Sequence, residues 1–231
     1  MSTKTRTIRE VAAWYLTATL GEWALHRLLM HNEGNQIGRD HLAHHRDVQN
    51  DMTIERDTGE NVYFTLRETV GIFVYAFVAG NGATRLLGAP SDMRRVSAIA
   101  AVLAIAYTIA WNTLHPMFHA AEGDPMPGLG LPGIDALRRF NFATRWLFRN
   151  HTLHHLIKGD RKGNYNIIIP GADHLFGTYN HTLDNTDFCR LSQSERRLAE
   201  LCRLDSGHLN RLVEQRSNSI FVGGVHRERT A

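Results

Sequence analysis

The feature that most limits what this chain can become is Val96 to Leu114, nineteen consecutive positions with no charge and an excess of Ala, Ile, Val and Leu. At about 1.5 Å of rise per residue, a helix of this length covers most of a hydrocarbon core. Two weaker apolar segments precede it. Tyr63 to Thr84 is charge-free from Thr69 onward, and Ile8 to Met30 is apolar from Val11 through Gly21 before it meets Glu22, His26 and Arg27. The stretch Gly88 to Arg95, with Pro90 and Ser91, reads as the turn of a helical hairpin between the second and third segments. The pattern predicts an all-α fold: a small helical integral-membrane bundle of about three spans. If all three cross, the C-terminal ends of the first and third and the N-terminal end of the second lie on one side.

A chain of 231 residues suits one core, and leaves no room for an appended electron-transfer module. We expect a membrane-embedded domain over 1–190, then a C-terminal amphipathic helix and tail over 191–231. The spacing of Ser192 and Glu195 ahead of Leu198, Leu201 and Leu204 gives that helix a capping box. The segment Ile134 to Ile157 reads as a further helix, and the prolines after Leu114 as an irregular loop. Lys4, Arg6 and Arg9 ahead of an apolar stretch resemble a secretion signal, but the stretch runs into Glu22 and His26 with no small-residue cleavage site, so it is expected to be retained. The 26 basic residues are scattered and nearly balanced by 23 acidic ones, which argues against a nucleic-acid partner. Cys189 and Cys202 make neither a CxxC nor a disulfide framework.

The abnormal count is fourteen histidines. Ten fall in four clusters: His26 and His31; His41, His44 and His45; His115 and His119; His151, His154 and His155. On a helix, residues three and four apart share a face, so each HxxHH can aim three imidazoles at one region and His115 with His119 can aim two. His26 and His31 are five apart and share a site only if the helix ends or bends between them, as Asn32 and Gly34 allow. A metal ion takes at most about six donors, so ten convergent imidazoles imply two ions. Imidazole suits iron, zinc, copper and nickel, and no thiolate cluster points to iron–sulfur or structural zinc. Glu22, Asp40, Asp47 and Asp173 are candidates to accept the remote imidazole N–H groups and fix ring orientation. One His pair is more often an accident of the surface or core; two HxxHH boxes and two pairs at the ends of apolar helices are not. His174 is a candidate additional ligand and His181 a weaker one, whereas His208 and His226 read as surface residues.

The order LHRLLMH, DHLAHH, NHTLHH and then NYNIIIPGADHLFGT resembles the fatty acid hydroxylase / sterol desaturase superfamily, over residues from about 20 to 180. The tail of that pattern is carried by Asn164, Tyr165, Pro170, Asp173, Leu175, Phe176, Gly177 and Thr178. Asn166 departs from it, standing where a glycine often follows Asn-Tyr, and His174 lies inside the final signature. The first two boxes also look like those of carotenoid hydroxylases. The resemblance implies two iron ions in a bimetal centre on the cytoplasmic face of a helical membrane domain, with O2-dependent hydroxylation or desaturation of a lipid-like substrate. Electrons would come from an external ferredoxin or cytochrome b5 type donor, since no GxGxxG fingerprint is present. Trp111, Asn112 and Phe118 are expected beside the metals. The rival class is a membrane zinc protein with a hydrolytic or metal-binding role.

Overall fold

Helices make up the regular structure of the described residues. A computed structural model describes residues 2–48, 52, 63–119, 142–157, 161–182 and 206–222. In chain order these form α1 (Thr3–Ala24), a π-helical turn (Leu25–Met30), α2 (Gln36–Asp47), α3 (Leu66–Leu86), α4 (Met93–Phe118), α5 (Phe142–Leu156), α6 (Ala172–Leu175) and α7 (Ser206–Val222). The chain divides into two compact units. The first is Met1–Arg46, Glu60–Asn112 and Tyr165–Gly177; the second is Asp47–Gly59, Thr113–Asn164 and Thr178–Ala231.

In the first unit, local chemistry sets the helix ends. Ser2 caps α1 by accepting the Thr5 amide. Thr65 opens α3 with a capping box, its own amide donating to the Glu68 carboxylate at 2.9 Å. Asn112 fixes that entry from α4, exchanging two 2.9 Å hydrogen bonds with the backbone of Phe64. Helices α1 and α3 approach closely because glycines face rings: Gly80 lies under Trp14 and Gly21 under Tyr75. Trp14, Ala76, Val96 and Ala100 form the core cluster, flanked by Phe73, Phe77, Ile99 and Leu103.

The buried faces of these helices mix polar and apolar side chains. That of α1 carries Glu10, Ala13, Trp14, Thr17, Thr19 and Glu22, and that of α3 carries Ala76, Gly80 and Thr84. Outward-facing positions hold Ile8, Val11, Tyr15 and Leu16 on α1, Val70, Val74 and Val78 on α3, and Val102 and Ile105 on α4. Among the described residues only α4 is long and apolar enough, by length and composition, to cross a membrane. Helices α1 and α3 have the length, at 22 and 21 residues. They are interrupted by Arg6, Arg9, Glu10 and Glu22, and by Arg67, Glu68, Asn81 and Arg85. The expected three spans are therefore reduced to one that meets this measure.

Helix α4 also departs from expectation at its end. The sequence places an irregular loop after Leu114, yet the helix continues to Phe118 with Pro116 inside it. Proline there removes the bond its N–H would have given the Asn112 carbonyl and crowds that carbonyl with its ring, and His119 resumes the pattern by donating to the His115 and Pro116 carbonyls.

In the second unit α5 packs with α7, whose Leu209, Leu212 and Val213 are buried. Arg149 on α5 donates to Asn210 on α7 at 2.6 Å. The helix expected over 134–157 is described from Phe142. Its predicted first turns lie outside the described residues, as do the capping box at Ser192 and the prolines at 125, 127 and 132.

Candidate metal centre

His26 and His31 are brought together by the π-helical turn. The His31 amide donates to the His26 carbonyl at 3.1 Å, an i→i+5 bond that stacks residues five apart as an α-helix stacks residues four apart. Their rings lie 5.2 Å apart, stacked at 24°. The chain then reverses sharply into α2. Asn35 accepts the Gly38 amide through Oδ1 and donates through Nδ2 to the Leu29 and Asn32 carbonyls. Gly38 is needed because a Cβ there would sit 1.8 Å from the Asn32 carbonyl oxygen. This reversal aims His41 and His45 at His26 and His31. One ring nitrogen from each of the four lies within 4.8 Å of the other three.

The second unit builds an equivalent quartet. His115 and His119, one turn apart at the end of α4, face His151 and His155, one turn apart on α5, with the same 4.8 Å bound on their ligand atoms. The two boxes have the same internal geometry. His41 and His45 rings are 4.6 Å apart at 84°, and His151 and His155 rings are 4.5 Å apart at 85°. The middle histidines are set further off in both, at 5.8 Å for His41–His44 and 6.1 Å for His151–His154. His44 and His154 are buried, and neither joins the quartet of its own unit.

Close nitrogen pairs test whether these quartets fit a metal. His41 Nε2 lies 3.0 Å from His26 Nε2 and 3.1 Å from His45 Nε2, and His119 Nε2 lies 2.7 Å from His151 Nε2. His26 Nδ1 faces the Tyr165 carbonyl at 2.8 Å and His119 Nδ1 faces the Met52 carbonyl at 2.9 Å. In the neutral imidazoles each of those nitrogens carries the proton, so the Nε2 lone pairs of His26 and His119 point inward. With metal–nitrogen bonds of about 2.0–2.1 Å, two nitrogens at right angles about one ion stand about 2.9 Å apart. The nitrogens are spaced as ligands of a shared cation are spaced, and they belong to buried imidazoles. The quartets fit a divalent transition metal.

The orienting groups differ from those expected. Glu22 and Asp173 were natural partners for imidazole N–H groups, but the His26 N–H meets a backbone carbonyl, and both carboxylates act on the segment that supplies it. Glu22 accepts the amides of Ile167, Ile168 and Ile169, and Asp173 accepts those of Tyr165 and Asn166. Asp40 accepts Gln36 at the surface of α2, and Asp47 is half-buried at its end. His174 is exposed on α6 and is not part of a quartet. In the second unit His154 Nδ1 faces the Gly163 carbonyl at 2.7 Å. Gly163 is followed by Asn164, at φ 58°, whose side chain joins Asn150 and Asn180. Trp111 is buried 6.0 Å from the His26 ring, and Phe118 is buried 5.7 Å from the His151 ring. Asn112 has a different role, holding Phe64.

These features define a class: a helical protein with two all-imidazole quartets, buried but for the half-buried His31, each able to hold a metal ion. No protein-family model, curated protein or solved structure matches the chain.

Proposed function

We propose that the protein is a membrane-embedded, O2-dependent di-iron oxygenase that hydroxylates or desaturates a lipid-like substrate at an unactivated C–H bond. The observation that carries the reading is the donor set: two quartets of imidazoles, buried but for the half-buried His31, in each of which a backbone carbonyl turns the Nε2 of one ring, His26 or His119, inward. Hydrolysis on a single zinc needs only about three protein ligands and an open position. Eight ring nitrogens gathered in two sets suit two redox ions better. Iron held in the quartets supplies the activation of dioxygen.

The chain's own residues hold and orient the donors and exclude water. Trp111 beside the first quartet, and Phe118 with Phe148 beside the second, are fully buried and close the apolar side of each. The outward valines and isoleucines of α1, α3 and α4 support a lipid environment, from which an apolar substrate would come. We read the metal-bearing face as cytoplasmic, as the resemblance implies, and the electrons as coming from a ferredoxin or cytochrome b5 type donor.

The test is metal analysis of protein from iron-replete cells, coupled to O2 uptake with a reductant and a lipid extract. Two irons and lipid-dependent O2 uptake are expected. Two zincs, with no uptake after iron reconstitution, would overturn the oxygenase in favour of a membrane zinc protein.

A further inference from the structure

The motif YNIIIPGAD supplies no ligand to the first quartet, yet it is among the most densely hydrogen-bonded segments of the first unit. Glu22, 3% exposed, takes five donors. They are the amides of Ile167 at 3.1 Å, Ile168 at 2.7 Å and Ile169 at 2.7 Å, the Tyr107 hydroxyl at 3.2 Å and Asn166 Nδ2 at 3.4 Å. An extended chain sends successive amides to opposite sides. Three consecutive amides can meet one carboxylate only if the backbone curls round it, so Glu22 dictates the path of the segment. Its other anchors agree. Asp173 accepts the Tyr165 and Asn166 amides while Asn166 Oδ1 accepts the Asp173 amide, and Asn166 Nδ2 donates to the Thr19 carbonyl at 2.9 Å. Thr19 in turn donates to the Ile169 carbonyl and accepts the Ala172 amide. Gly171, at φ 141°, lets the chain pass within reach of Thr19 and Tyr15, where a Cβ would lie 2.9 Å from the Thr19 hydroxyl.

What this lattice delivers to the quartet is Tyr165, whose carbonyl oxygen faces His26 Nδ1 at 2.8 Å and whose ring meets those of His26 and His31 edge-on at 5.7 and 5.5 Å. We propose that Glu22 and Asn166 are positioning residues for the first metal site. On the metal reading above, on which this rests, they hold the strap 165–169 so that Tyr165 keeps His26 in the Nδ1–H tautomer with its Nε2 lone pair turned to the quartet. A carboxylate is required at position 22 because every neighbour is a donor; the amide of a glutamine would set N–H against N–H. Asn166 is required because glycine would remove the bonds to the Thr19 carbonyl and the Glu22 carboxylate that tie the strap to α1 next to Tyr165. Neither residue touches the metal, so removing either leaves all four donors in the chain.

The experiment is a cobalt(II) titration of the full chain in detergent, followed by the visible absorption of the bound ion, on wild type, Glu22→Gln and Asn166→Gly. Each metal-free form is also examined by two-bond proton–nitrogen NMR of the histidine rings. Loss of an outer partner of a metal-bound histidine weakens binding roughly 10–100-fold. Both variants should show that loss for one of the two cobalt ions, with the other unchanged in affinity and spectrum. The His26 ring should pass from a fixed Nδ1–H tautomer to a mixture. Wild-type affinity for both ions, an equal loss at both, or an unchanged His26 tautomer would overturn the proposal. If Glu22→Gln fails to fold, Asn166→Gly carries the test, since it leaves the carboxylate and its three amides in place. Failure of the metal reading shows separately, as a wild type that takes up no cobalt; the His26 tautomer then still decides whether the strap acts on that ring.

Discussion

At the scale of the residue, His41 is the imidazole on which the first quartet closes, since its Nε2 lies within about 3 Å of two others, those of His26 and His45. Removing it takes away the nitrogen that lies closest to both neighbours. His41→Ala should therefore lose one metal equivalent and retain one, whereas His174→Ala, at an exposed position, should retain both. Elemental analysis of the purified variants reads the difference, and retention of two metals in His41→Ala would sink the ligand assignment. The imidazoles were legible in the sequence because three- and four-residue spacing is a statement about one helix face. Their orienting partners were not, because Tyr165, Met52 and Gly163 act through backbone carbonyls, which every residue type carries. Glu22 and Asp173 were visible as important carboxylates, but their place one hydrogen bond further from the metal depends on where the strap runs.

At the scale of the element, the site depends on two irregularities. The π-helical turn was legible only as a demand, since His26 and His31 could not share a site on an undisturbed α-helix. The tight reversal into α2 has a sharper consequence. Gly38→Ala would press a methyl against the Asn32 carbonyl, a backbone atom that cannot swing aside, so α2 must move. Overpacking of this kind costs about 1–3 kcal/mol, and here it also displaces His41 and His45. We expect a lower midpoint of thermal unfolding together with weakened binding of one metal. Helix packing gives a paired prediction on α3. Gly80→Ala drives a methyl into Trp14 and should destabilise by a similar 1–3 kcal/mol or so. Gly82→Ala meets nothing within 4 Å and should be neutral or stabilising by up to about 1 kcal/mol, from helix propensity alone. Equal denaturation midpoints for the two variants would show that α1 and α3 do not pack as described. Nothing in the local sequence separates these two glycines, two residues apart, because the difference lies in what α1 presents to them.

At the scale of the whole molecule, the helical class and the apolar run that becomes α4 could be read directly, while the two discontinuous units leave no mark on composition because contacts distant in sequence define them. The environment of the outward faces can be decided by one substitution. Ile105 is exposed near the middle of α4. If it faces water, Ile105→Lys should change stability by no more than about 0.5 kcal/mol, as surface substitutions do. If it faces hydrocarbon, a lysine near the helix centre costs about 2.5–3.5 kcal/mol, and a residue midway along the span is too far from either interface for its ammonium to reach water cheaply. The same change at Leu86, exposed at the end of α3, should be tolerated in both cases, because a lysine there can extend to the headgroup region. The membrane reading thus predicts that Ile105→Lys falls sharply in the carbonate-resistant membrane pellet while Leu86→Lys remains at the wild-type level. A folded Ile105→Lys protein that stays soluble without detergent and keeps its metals would show that the valines and isoleucines of α1, α3 and α4 face a protein partner or water, and the lipid-derived substrate would have to be given up with them.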